Sequence, residues 1–147
     1  MTPANAMPEF LSDRTRKILD LAAAAARRRG GEQVRGEHLL LGLLEEGGGV
    51  ALAVLHHLGV DRAALEQAIE LELVTAPAGS DWPMTEWLDR AAAVARELGH
   101  FYVGSEHLLA ALARGGNPLV DRVFAAHGVT SEAVTAEIGR LLGRQIG

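Results

Sequence analysis

Val34-Arg-Gly-Glu-His-Leu-Leu-Leu-Gly-Leu43 and Val103-Gly-Ser-Glu-His-Leu-Leu-Ala-Ala-Leu112 carry the same Val, Glu, His and leucines in the same register, 69 residues apart. The same offset, with no gap, pairs Leu19 with Leu88, Asp20 with Asp89, Gly30 with Gly99, Val54 with Val123, Gly59 with Gly128, Val60 with Val129 and Ile69 with Ile138. A recurrence of this length without an insertion is a tandem duplication, and a repeat has to be recognised before any fold is assigned. The first copy covers 10–73 and the second 81–143. The linker between them, 74–80, contains Pro77 and Gly79, which interrupt the helical pattern. Residues 1–9 are expected to form a tail, and 10–147 a single domain.

Within each copy the punctuation is helical. Ser12 and Asp81 are candidate N-caps, followed by apolar residues at helical spacing (Ile18, Ala22, Ala25; Trp87, Ala91, Val94, Leu98) that run to Gly30 and Gly99. A second helix starts at Glu37 or Glu106 and stops near Gly47 or Gly115. A third ends at Gly59 or Gly128, and in the second copy Asn117-Pro118 opens it with a capping side chain and a proline in the first turn. A fourth runs from Asp61 through Leu65, Ile69 and Leu73, or from Thr130 through Val134, Ile138 and Leu142. No segment alternates with period two for long enough to make a strand. The expected fold is all-α, eight helices arranged as two pseudo-symmetric four-helix repeats, with the Val, Ile and Leu stripes in the core.

Composition narrows the function. The chain has 147 residues, enough to bury a sizeable core without a staple. Its net charge is −5 and its pI about 5.6, which argues against binding nucleic acid or anionic lipid through bulk charge. It has no cysteine, which excludes a disulfide framework, a zinc ribbon and a thiol nucleophile. The apolar runs Leu21 to Ala26 and Leu39 to Leu41 fall far short of the roughly 20 residues that span a bilayer, and the N-terminus has no basic region of the secretory kind. The expectation is a cytoplasmic protein with neither membrane nor nucleic-acid partners.

No G-x-x-x-x-G-K-[ST] phosphate loop is present, so ATP hydrolysis by that route is not expected. No G-x-S-x-G elbow marks a hydrolase. Arg27-Arg28-Arg29 closes a helix, where cations offset the dipole. His56-His57 has no counterpart in the second copy, and adjacent helical residues diverge by about 100°, which argues against a shared metal. No catalytic residue, metal or cofactor is assigned.

The Glu-His pairs at the second helix of each copy remain. Ser105 is placed to cap with Glu106 in the first turn. A helix start offers N–H groups and partial positive charge to an anion while the adjacent carboxylate takes a cation. The competing reading is that Glu37 and Glu106 only offset the dipole, with His38 and His107 as neutral, packed or capping residues.

Gly99-His-Phe-Tyr-Val-Gly-Ser-Glu-His-Leu-Leu109, inside a duplicated helical unit with a later Leu-Gly-Val, resembles the Clp amino-terminal domain, the double repeat that precedes the ATPase modules of Clp unfoldases. The likeness spans about Phe10 to Leu142. The first copy departs from it at Gly30-Gly-Glu-Gln-Val-Arg-Gly-Glu-His38, where Gly36 replaces the hydroxyl residue and Arg35 is extra. The resemblance implies a non-enzymatic module that binds substrates or adaptors, with Clp ATPase subunits, Clp adaptors or protein substrates as partners. It also implies phosphoarginine recognition at Glu106, Ser105 and His107, and at Glu37, Gly36 and His38 in the first copy. Ending at Gly147 without an ATPase module, the chain is expected to stand alone. The alternative is a small-molecule sensor or sequestering protein that holds ligands between the repeats.

Overall fold

The computed structural model describes residues 10–29, 31, 33–75 and 82–142. Eight helices follow one another: α1 (Asp13–Arg28), α2 (Gly36–Glu46), α3 (Gly49–His57), α4 (Arg62–Thr75), α5 (Met84–Glu97), α6 (Ser105–Ala113), α7 (Pro118–Ala126) and α8 (Ser131–Leu142). The repeat offset carries α3 onto α7 residue for residue, and α2, α4 and α5 onto their counterparts with differences only at one end. An isolated parallel bridge joins Leu11 to Val103, and the described residues contain no strand. The all-α double repeat read from the sequence is the fold.

Local chemistry explains most boundaries. Ser12 caps α1, its Oγ accepting from the Thr15 amide at 3.1 Å, and Asn117 caps α7, its Oδ1 accepting from the Val120 amide at 2.9 Å. Asp61 and Thr130 take the amides of Ala64 and Ala133, which opens α4 and α8 at equivalent places. Gly47, at φ 77°, ends α2 in a left-handed turn. Three boundaries differ from expectation. Asp81 and Gly30 lie outside the described residues; α5 starts at Met84 with Pro83 at the N-cap position, and α1 closes on Arg29. Helix α4 continues through Val74 and Thr75 before 76–80, which are outside the described residues.

Helices α2 and α6 are apolar on nearly every side and sit at the centre, with Leu39, Leu40, Leu43 and Leu44 in one and Leu108, Leu109 and Leu112 in the other, all buried. Gly42 lets α1 lie directly on α2: a Cβ there would stand 2.6 Å from the Ile18 carbonyl oxygen and 2.9 Å from the Ala22 nitrogen. The halves meet reciprocally. Helix α3 packs on α6 and α8, and its counterpart α7 packs on α2 and α4. This is how a two-fold dimer pairs its surfaces, here within one chain.

Candidate functional site

All six sequence-nominated residues are buried at the starts of α2 and α6. Ser105 does not cap α6 as expected, and α2 and α6 begin at Gly36 and Ser105, one residue before Glu37 and Glu106. Gly104 is the N-cap of α6, because its backbone is the last in the extended region (φ −105°, ψ 178°), and Arg35 holds that place for α2. The histidines act as third-position capping residues. The Gly104 N–H donates to His107 Nδ1 at 2.9 Å, and the Arg35 N–H to His38 Nδ1 at 3.0 Å.

Ser105 turns away from its own helix. Its Oγ accepts from the Ala51 amide at 3.3 Å, in the first turn of α3, whose N-cap Gly48 has no side chain to offer. In the mirrored position Gly36 faces Asn117, which caps its own helix. A Cβ at Gly36 would press on Asn117 and Trp87 at 3.1 Å. A hydroxyl residue in the first copy would need Asn117 and Trp87 to give way by a few tenths of an ångström, while the serine of the second supplies a cap that the first lacks.

The two glutamates share burial, 4% exposed for Glu37 and 3% for Glu106, but differ in their partners. Glu37 accepts from Asn117 Nδ2 at 2.6 Å on Oε1 and from Arg35 Nε at 3.1 Å on Oε2. Glu106 accepts from the Tyr102 hydroxyl at 2.7 Å. Burial, and then the bond to Glu106, raises the Tyr102 pKa. The Tyr102 ring stacks on His100 at 5.5 Å and tilts against His107 at 5.1 Å. It is 36% exposed, and beside it Phe101 is 91% exposed. The Leu11–Val103 bridge, in which the Val103 amide donates to the Phe10 carbonyl at 2.8 Å, brings exposed Phe10 to the same segment.

His100, Glu106 and His107 bring their ligand atoms within 4.8 Å of one another, a spacing that could suit a metal. The chemistry of the pair opposes it. His107 Nδ1 is an acceptor for the Gly104 amide, so in the neutral ring the proton is on Nε2, which points at His100 Nδ1 2.7 Å away. A metal on Nε2 would need the proton moved to Nδ1, and the buried amide would lose its acceptor; metal-bound histidines ordinarily donate from the second nitrogen. Burial, and then His100, hold the His107 pKa down to about 4, consistent with a neutral ring.

Sequence reasoning missed Asn117 and Arg35 as partners of Glu37, Tyr102 as partner of Glu106, and His100 as partner of His107. Tyr102 and His100 stand within seven residues of the motif's end and could have been found by proximity. The Asn117 contact crosses 80 residues of chain and left no local signal. The His56-His57 pair divides as its helical geometry requires, with His57 Nδ1 3.0 Å from Glu137 Oε2 across the repeats.

The model of the Clp repeat (R) N-terminal domain matches the chain twice, over residues 10–86 and 82–147. The chaperone protein ClpB of Oceanobacillus iheyensis is 33% identical over 139 residues. The negative regulator of genetic competence ClpC/MecB of Bacillus subtilis is 34% identical over 140. In both cases 90% of the chain aligns and spans 17% of the relative's length. The N-terminal domain of Hsp104 from Candida albicans has the same fold (TM-score 0.74, 19% identity, 93% of this chain and 94% of that one). So does a ClpV N-domain solved in complex with a VipB peptide (TM-score 0.70, 18% identity, 97% and 95%).

Proposed function

Since the chain belongs to the Clp repeat (R) N-terminal domain family, we propose that it is a non-enzymatic, cytoplasmic binding module of the Clp chaperone–protease system, which takes protein substrates, arginine-phosphorylated ones included, or adaptors at the start of α6. The observation that carries this reading is the state of Glu106. Its carboxylate is buried at a helix start and held by the hydroxyl of a partly exposed tyrosine. A guanidinium that takes the hydroxyl's place reaches a desolvated carboxylate, where a charge-assisted, bidentate contact is strongest. A phosphoryl group on the same side chain then lies toward the α6 N-terminus, which favours an anion. Phe10, Phe101 and Tyr102 offer apolar surface to flanking residues of a peptide. The ClpV N-domain that takes a VipB peptide has this fold, which supports a peptide as the occupant.

Calorimetric titration with phosphoarginine tests the reading. Glu106→Gln, which keeps a partner for Tyr102 and removes the charge, should weaken binding more than tenfold, or about 1.4 kcal/mol, without loss of helicity. Equal affinities, or no binding by the unmodified protein, would return Glu106 to the role of a helix-start residue.

A further inference from the structure

We infer that the first-repeat site is closed by the protein's own arginine: Arg35 is the intramolecular occupant of Glu37, and each chain takes one arginyl ligand, at Glu106. The inference rests on the ligand reading proposed above. Under the repeat offset Arg35 stands where the second copy has Gly104, and Gln33 where it has Tyr102. At Gly104 there is no room for a side chain, since a Cβ would lie 2.5 Å from Glu106 Oε1 and 2.8 Å from Tyr102 Cε2. That space is filled by the carboxylate and the ring that covers it. In the first copy the same backbone position carries a guanidinium, and its Nε donates to Glu37 Oε2 at 3.1 Å.

The contact is the one an incoming arginine would make. The Arg35 side chain is 22% exposed and approaches Glu37 from the solvent side, while buried Asn117 holds the other oxygen from within. Both carboxylate oxygens therefore have donors, one of them cationic. A ligand at Glu37 would have to evict a tethered guanidinium, which competes at an effective concentration on the order of millimolar. At Glu106 it displaces a neutral hydroxyl on a partly exposed ring. The two copies of the motif have diverged into one open site and one that the chain fills itself.

Stoichiometry decides this. Titrated with phosphoarginine, the unmodified protein should bind one equivalent, and Glu106→Gln should abolish that binding. Arg35→Gly, which restores the residue of the second copy, should raise the stoichiometry to two, and Arg35→Gly with Glu106→Gln should bind one. Arg35→Ala repeats the test without adding a glycine at a helix start, and circular dichroism confirms that each variant is helical. If the arginine variants stay at one equivalent while the unmodified protein binds one, or if the unmodified protein already binds two, the self-occupied site is wrong and the peptide-binding reading stands. No binding by any variant removes both.

Discussion

His107 shows how much one side chain at a helix start can settle. Its Nδ1 takes the Gly104 amide and its Nε2 proton goes to His100, so the fold depends on the neutral ring. Burial and the neighbouring His100 lower its pKa from 6.5 to about 4. In the unfolded chain the ring takes up a proton near its ordinary pKa, whereas in the folded protein it resists until about pH 4. This contribution to stability is present in full above about pH 6.5 and is lost progressively as the pH falls toward 4. Urea denaturation between pH 7 and 4 should show that slope, and His107→Gln, which keeps an acceptor for the capping amide, should flatten it; parallel curves would mean that other groups carry the acid sensitivity. The Glu-His pair was visible in the sequence, but its register was not. Ser105 reads as the natural cap because its type is right, yet the cap is set by which residue is last in the extended region, and that residue is Gly104.

Among the helices, those with a one-sided apolar stripe and a polar opening residue were legible from spacing alone, α1, α4, α7 and α8 among them. What could not be read was which side chain caps which helix when donor and acceptor lie in different repeats. Helix α3 borrows Ser105, and α7 is capped by Asn117, which reaches back to Glu37. The two caps should differ in cost. Ser105→Ala leaves one amide of α3 without its acceptor, a loss of about 1 kcal/mol. Asn117→Ala removes a cap worth about 1 kcal/mol and strips a donor from a buried carboxylate, about 1–3 kcal/mol more, so about 2–4 kcal/mol is expected in all. Chemical denaturation of the two variants side by side should reproduce that order; equal and small losses would mean that the inter-repeat bonds add nothing to what the apolar core already provides.

At the scale of the molecule, the duplication read from a constant offset becomes a physical dependence of each half on the other. The contacts between halves are not confined to apolar packing. Thr15 Oγ1 donates to the Val103 carbonyl at 2.8 Å and Asn117 to Glu37 at 2.6 Å, so buried polar groups of each repeat find their partners in the other, and on the surface Arg122 Nη2 donates to Glu72 at 2.8 Å. The central helices α2 and α6 are apolar on nearly every side, and each is covered in part by the opposite repeat. Cut at the linker, either half would expose that face, and the Glu37 Oε1 would lose the Asn117 donor that comes from the other repeat. A chain of roughly 60 residues buries only about 60% of the surface it exposes when unfolded and has little margin for such a loss. The fragment 10–75 should therefore show weak helicity alone by far-ultraviolet circular dichroism, and regain it when mixed with the fragment 82–147, with a midpoint that shifts with concentration as association requires. A fragment 10–75 that melts cooperatively by itself, at a temperature near that of the whole chain, would show that the repeats are independent units and that their shared core is a consequence of tethering alone.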